Sequence, residues 1–286
     1  MNTLFLALML PATVLLGLHD VLTKKILARG PNEQALLVVN FFIIGTISFI
    51  TSLLVGWPEI EPGFWLAFSG TVLLNIVSQW CWYSAFQSGD VSTVSPIRLL
   101  TPPLVLITGF LTLKEVPTAG GVLGVIVTFF GLWLLLKPAA KIRLVSKNDK
   151  RAIRLALAGA VLFALSFPLD KKAVITSSAL FFVGLAFPLI ALGNLIIYRL
   201  RKQAWPDFTF VRNIKWLPVY FLIHAGGTML STHSLNYALA VYASSVKRLW
   251  SFWAVIFSGA ILKENIGQKL LATIVMLLGI SLMFFI

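Results

Sequence analysis

The chain of 286 residues is 58% hydrophobic and only 12% charged, with a mean hydropathy of +0.92. Soluble domains carry roughly 25% charged residues, so this composition excludes a soluble globular fold and a soluble catalytic domain. The net charge of +13 is then to be explained by where the basic residues lie, not by a nucleic-acid partner.

The apolar residues fall into blocks, and about 20 consecutive apolar residues cross a bilayer as a helix. In chain order the sequence predicts ten such spans: Leu4–Leu22, Gln34–Val55, Phe64–Phe86, Val91–Leu113, Thr118–Leu136, Ala152–Leu169, Ser177–Tyr198, Trp216–Ala238, Ala240–Leu262 and Gly267–Phe285. No Lys or Arg precedes Lys24 and no small-x-small cleavage site follows, so the first block reads as a retained span, not a signal peptide. The third span holds the single cysteine, Cys81, which reads as a small buried apolar residue and says nothing about redox compartment. The basic residues crowd the connections after spans one, five, seven and nine, at Lys24, Lys25 and Arg29, from Lys137 to Arg154, from Arg199 to Lys215, and at Lys263 and Lys269. Odd-numbered connections hold 17 Lys and Arg, the even ones hold 3, and Arg98, Lys247 and Arg248 lie inside spans. Cytoplasmic loops carry the Lys/Arg excess, so both termini are expected outside a plasma (bacterial inner) membrane.

Spans four and nine share a pattern. Each contains an arginine, Arg98 or Arg248, and each closes on Lys-Glu, at Lys114-Glu115 and Lys263-Glu264. Val91-Ser92-Thr93-Val94 runs parallel to Ala243-Ser244-Ser245-Val246, Arg98-Leu99 to Arg248-Leu249, and Gly109 to Gly259. Thr23-Lys24-Lys25 likewise resembles Asp170-Lys171-Lys172, and Gly131 and Gly279 open similar apolar endings. Five spans is an odd number, so a second copy of the unit enters the membrane in the opposite sense. The predicted fold is an all-α integral membrane protein of ten helices in two inverted five-helix repeats, residues 1–137 and 152–286, joined by a basic connector at 138–151. Inverted repeats are the architecture in which secondary transporters hold solute at the midplane.

Two five-span units, an apolar fourth span ending in Lys-Glu, and Val-Ser-x-Val-Ser-Pro-x-x-x-Leu-Thr-Pro at 91–102 resemble the drug/metabolite transporter superfamily in its EamA-like branch. The resemblance covers nearly the whole chain. It implies a ten-helix exporter or exchanger of small metabolites, with a cavity lined by spans one, three, four, six, eight and nine, and with spans five and ten as scaffold. Gly120-x-x-x-Gly124 suits close helix contact in that scaffold. The resemblance also implies cytoplasmic termini, opposite to the charge count, which is followed here.

Polar groups inside spans are expensive and usually face a bundle interior or an aqueous cavity. Asn75, Gln79 and Tyr83 fall at i, i+4 and i+8 of span three, on one face. The alternative for this stripe is hydrogen bonding that merely holds helices together. In span eight His224 shares a face with Thr228 and with Ser231 or Thr232, while His233 and Asn236 point elsewhere. The two histidines lack a neighbouring Cys or carboxylate, so no metal is expected. Arg98 and Arg248 each fall about 10 Å from the start of their spans at 1.5 Å per residue, where a charge costs ~2.5–3.5 kcal/mol. Either binds an anion by its guanidinium fork or snorkels to the interface; Lys247 reads as the more superficial neighbour. Trp250, close to Arg248, reads with Trp80, Trp82 and Trp253 as an aromatic wall or a lipid contact. His19, Asp20 and Asp170 are candidates for proton coupling, against the simpler reading that Asp20 pairs with Lys24 and Asp170 with Lys171 or Lys172. Pro102 and Pro103 in span four form the expected hinge.

The expected substrate-binding residues are thus Asn75, Gln79, Tyr83, Arg98, His224, Arg248 and Trp250. The expected partners are a small anionic or zwitterionic, amino-acid-like solute and the lipid bilayer, with no nucleic acid and no cofactor; a homodimer is compatible with the chain. No HExxH, GxSxG or paired carboxylates occur within the spans, so an enzyme is not expected. The competing functional class is a flippase for lipid or a lipid-linked carrier, with the arginines holding a phosphate headgroup.

Overall fold

The computed structural model describes residues 3–101, 103–105, 119–141, 147–200, 207–237, 243 and 246–285. Three long helices lead: α1 (Thr3–Leu27), α2 (Glu33–Val55) and α3 (Phe64–Ser88). A fourth segment opens as the short α4 (Val91–Val94) and tightens into a 3-10 helix (Ser95–Leu100). Then come α5 (Ala119–Lys141), α6 (Lys147–Ile175), α7 (Ala179–Leu200) and a single turn at Phe210–Asn213. The chain closes with α8 (Leu217–His233) running into a 3-10 turn (Ser234–Tyr237), α9 (Leu249–Phe257) continued by a π turn (Ser258–Leu262), and α10 (Gly267–Phe285). No strand occurs among the described residues. α1, α2, α3, α6 and α7 are long and apolar enough to cross a bilayer, and α9 with its π turn and α10 are shorter apolar helices. The chain is an all-α membrane protein.

Its polarity is inside out. Leu54, Leu66 and Leu222 are 82, 79 and 68% exposed, while Arg248 and Asn40 are 1 and 0% exposed. An apolar belt of that extent would drive aggregation in water, whereas in hydrocarbon it is the solvated face. Lipid removes the hydrophobic drive between helices, so close packing and buried hydrogen bonds must hold them. α3 packs mainly on α6, α2 on α7, α5 on α10, and α1 on both α8 and α9. The α5–α10 contact depends on glycine: a Cβ at Gly279 would lie 2.5 Å from Thr128 Oγ1 and 2.8 Å from the Gly124 carbonyl. Here Gly279 is the residue that permits the close approach, with the Gly124 carbonyl as one of the atoms it lets near.

The structure departs from the predicted spans in three places. α6 starts at Lys147, not Ala152, and runs to Ile175; helical hydrogen bonding does not stop at the hydrocarbon edge, and Asp149 in the first turn suits the helix dipole. The fourth span is no uniform α-helix. Pro96 near the start of the 3-10 segment has no N–H to offer an α ladder, and the chain tightens there instead. Pro103 is helical and buried, whereas Pro102 lies outside the described residues. The ninth span breaks at Arg248, which occupies the N-cap position of α9 instead of its interior.

Side-chain contacts fix the two ends of the bundle. At one end Glu264 accepts from Val91 N (3.1 Å), Ser92 N (2.9 Å) and the Ser92 hydroxyl, capping α4. Lys269 at that end donates to Asp90 Oδ2 (3.0 Å) and Ser92 Oγ (2.7 Å), and Lys24 reaches the Gln87 carbonyl at 3.4 Å. This gives the Lys-Glu ending of span nine a physical role; its counterpart Glu115 lies outside the described residues. Lys263 turns the chain for it with φ +57°, the left-handed geometry common at helix C-termini. At the opposite end Glu61 N donates to the Thr176 carbonyl at 2.9 Å, tying the approach to α3 to the end of α6.

Candidate functional site

Helical spacing builds the site. His19, Asp20 and Thr23 of α1 share one face with Leu16, and Thr71, Asn75, Gln79, Trp82, Tyr83 and Phe86 share one face of α3. With Arg98, Asp170, His224, Lys247, Arg248 and Trp250 they line a cavity of about 110 Å³. A single water needs roughly 10–15 Å³ on this measure, so the cavity has room for several waters or a small solute.

Toward the α4 end lies an ion pair. Arg98 Nη1 donates to Asp20 Oδ2, and Ser95 Oγ donates to the same oxygen at 2.8 Å. Both charged side chains are under 10% exposed. The guanidinium is sandwiched by Trp82 (4.2 Å to the ring centre), Trp250 (4.7 Å) and Phe86 (5.0 Å). Charge pairing and π faces offset the cost of burying this guanidinium. Asp20 therefore does not pair with Lys24 as the i, i+4 spacing predicts. Lys24 turns outward to Gln87, because a fixed buried cation outcompetes a flexible one at the rim.

The centre is an imidazole–phenol network. His19 and His224 stack with ring centres 3.8 Å apart. His19 Nε2 lies 3.0 Å from Tyr220 Oη, which is 3.1 Å from Thr23 Oγ1 and 3.3 Å from Tyr83 Oη. Asn40 Nδ2 donates to Tyr83 Oη at 2.6 Å and lies 2.7 Å from His224 Nδ1. The network links α1, α2, α3 and α8 through buried polar groups, and leaves the buried acceptor Asn40 Oδ1 without a partner among the described residues.

The second half presents a different arrangement. Asp170 accepts from the Thr71 hydroxyl and from Asn75 Nδ2 (3.4 Å), and Asn75 also donates to Thr71 Oγ1 at 2.9 Å. This replaces the predicted pairing of Asp170 with Lys171 or Lys172 as its visible anchorage. Arg248 is 1% exposed, yet its Nε and Nη2 have no hydrogen-bond partner, nor does Trp250 Nε1. Arg248 stands over Phe163 (4.9 Å) and Trp250 (5.4 Å), and Lys247 over Trp250 (5.6 Å). The Trp250 ring is thus a neighbour of both Arg98 and Arg248. Lys247 also lines the cavity, half-buried beside the fully buried Arg248, and is the more superficial of the two, as expected.

The structure gathers Asn75, Gln79, Tyr83, Arg98, His224, Arg248, Trp250, His19, Asp20 and Asp170 around one cavity, and leaves His233 and Asn236 exposed. Sequence reasoning missed Asn40, Thr71, Tyr220 and Phe163. Asn40 carries a signal, as a carboxamide in the middle of an apolar span; Tyr220 and Phe163 carry none, since aromatics are frequent in membrane helices. No group of His, Cys, Asp and Glu among the described residues has the arrangement of a metal centre.

Residues 3–137 match the model of the EamA-like transporter family. No curated protein matches the sequence. A solved structure described as "Crystal structure of protein" is 12% identical and superposes with a TM-score of 0.66 over 97% of this chain and 97% of its own. At that identity the likeness shows a common fold.

Proposed function

We propose, on the premise that residues 3–137 belong to the EamA-like transporter family of the drug/metabolite transporter superfamily, that this protein is a secondary transporter. It carries a small anionic or zwitterionic, amino-acid-like solute by alternating access. The observation that carries the reading is the cavity: buried charges and hydrogen-bonding groups around an enclosed space, inside a shell whose outer face is apolar. Charges held inside a membrane bundle at a cost of several kcal/mol mark solute or ion paths. The helix contacts support ten spans in two inverted repeats, residues 1–137 and 152–286. Exchanging the first five elements with the last five converts the α3–α6 contact into α8–α1 and returns α2–α7 and α5–α10 to themselves. A pseudo-two-fold of this kind lets the two halves trade conformations around a central site.

In this reading Asn75, Gln79, Tyr83, Arg98, His224, Arg248 and Trp250 face the solute, His19, Asp20 and Asp170 carry any coupled proton, and Pro102-Pro103 flexes span four. The termini lie outside the membrane on the charge count. Purified protein reconstituted in liposomes is tested for uptake of labelled amino acids and small carboxylates, with counterflow to separate carrier from leak. Saturable counterflow supports the proposal. Lipid scrambling without solute flux would replace it with the flippase, and a cytoplasm-only fluorescent reporter that glows at the C-terminus would reverse the orientation.

A further inference from the structure

The two halves hold matching charges in unequal states. Each half carries an acid and an arginine 78 positions apart, Asp20 with Arg98 and Asp170 with Arg248. In the first half the acid and the base are joined. In the second half they are apart: Asp170 is held by Thr71 and Asn75, and the described residues show no ion pair to Arg248. The result is a cluster of donors with nothing to donate to. Arg248 Nε, Arg248 Nη2 and Trp250 Nε1 are buried and unpartnered, and the Lys247 ammonium stands over the same indole at 5.6 Å. These three side chains carry donors only, so a ligand that satisfies them supplies acceptors. The cavity lining carries Asp20 and Asp170 against Arg98, Lys247 and Arg248, which leaves one positive charge uncompensated with the histidines neutral.

We propose that Arg248 and Trp250, flanked by Lys247, form a subsite for one singly charged oxyanion, a carboxylate on an apolar or aromatic body, and that Asp170 is its intramolecular competitor. The inference rests on the transporter reading and deepens it by naming the group recognised. The fork of Arg248 and the indole N–H supply directed donors for two carboxylate oxygens, and Phe163 and the Trp250 face supply the wall for the body. Arg98 is not part of the subsite, because Asp20 already fills that role. In this proposal Asp170 turns to Arg248 when the anion leaves, as Asp20 is joined to Arg98 in the first half. Solute and Asp170 are alternative partners for one guanidinium, so departure of the anion is compensated from within the protein.

The test uses the full chain in detergent, with Trp fluorescence and calorimetry reading the binding of benzoate, its neutral isostere benzamide, and phenyl phosphate. Benzoate is expected to bind, benzamide to bind at least tenfold more weakly, and phenyl phosphate more weakly than benzoate. Arg248→Gln is expected to weaken benzoate at least tenfold, and Asp170→Asn to strengthen it severalfold. Should Arg248→Gln fail to fold, Arg248→Lys and Trp250→Phe keep the charge and the ring respectively and are each expected to lose severalfold. Equal binding of benzoate and benzamide, unchanged binding in the Arg248 variants, preference for phenyl phosphate, or weaker binding in Asp170→Asn would each overturn the subsite. Liposome counterflow of a solute indifferent to Arg248 would overturn the subsite and leave the transporter intact. Benzoate binding lost in Arg248→Gln, in a protein with no counterflow of any solute, would keep the subsite and sink the transport reading.

Discussion

Removing one partner of the Asp20–Arg98 pair leaves the other charge stranded in a site under 10% exposed. Such losses cost roughly 3–5 kcal/mol, whereas removing both charges together is often close to neutral. Asp20→Asn or Arg98→Gln alone is therefore expected to destabilise by about 3–5 kcal/mol, and the double variant by well under their sum. Domains of 150–250 residues shift by roughly 2–4 °C per kcal/mol; at the low end, suited to this longer chain, each single variant should melt about 6–10 °C below wild type. The double variant will not fully recover, because Arg98 also loses its contacts with Trp82, Trp250 and Phe86, worth on the order of 1–2 kcal/mol when desolvated. The assay is a melting curve of the purified protein in one detergent, at one scan rate, read by Trp fluorescence and by loss of the monodisperse peak. Single variants as stable as wild type, or a double variant no better than the worse single, would refute the buried pair as the organising contact of the α4 end.

Three further outcomes follow from the packing and the caps. Gly279→Ala puts a methyl against the Thr128 backbone and the Gly124 carbonyl, which cannot retreat like a side-chain tip; overpacking of this kind costs about 1–3 kcal/mol, visible as a lower melting temperature. Glu264→Gln removes the charge from the carboxylate that caps Val91 and Ser92 and should cost about 0.5–2 kcal/mol, read as faster hydrogen exchange at those two amides and unchanged exchange in α2. In the connection before α8, Asp207 accepts from Thr209 N and Oγ1, both at 2.8 Å, and these bonds hold its carboxyl below the usual range. A depressed pKa stabilises the turn above the unfolded value near ~3.9 and loses that contribution as pH falls through the folded one. Protection of the Thr209 amide, taken relative to the intrinsic exchange rate at each pH, should hold at neutral pH and fall in acid, and Asp207→Asn should abolish that dependence.

The helices were legible in the sequence because apolar blocks of bilayer length have few other readings; Glu33–Val55 differs from its predicted start by one residue. Face-sharing was legible too, since Asn75, Gln79 and Tyr83 meet one cavity as their spacing requires. What the letters could not give was the choice among partners. Asp20 has Lys24 one turn away, and only the approach of the fourth segment brings Arg98 closer. Likewise nothing in Val246-Lys247-Arg248 says that Lys247, the more exposed of the two basic residues, still reaches the cavity. The breaks themselves are half legible: Pro96 announces the first, but nothing in Arg248-Leu249 announces the second. Pairing across halves is a property of tertiary approach, and periodicity within a helix carries no trace of it.

The α5–α10 pair supplies none of the described residues that line the cavity, though it is sealed by some of the tightest backbone approaches in the molecule. It stands as a keel beside a compartment that it never touches. Substitutions along its outer flank leave the cavity lining untouched, while substitutions among the 28 described lining residues reshape the cavity without loosening the keel. The shape of the compartment and the robustness of the frame are thereby separate heritable traits in one small chain; in the transporter reading proposed above, new cargo preferences can be sampled without rebuilding the hull.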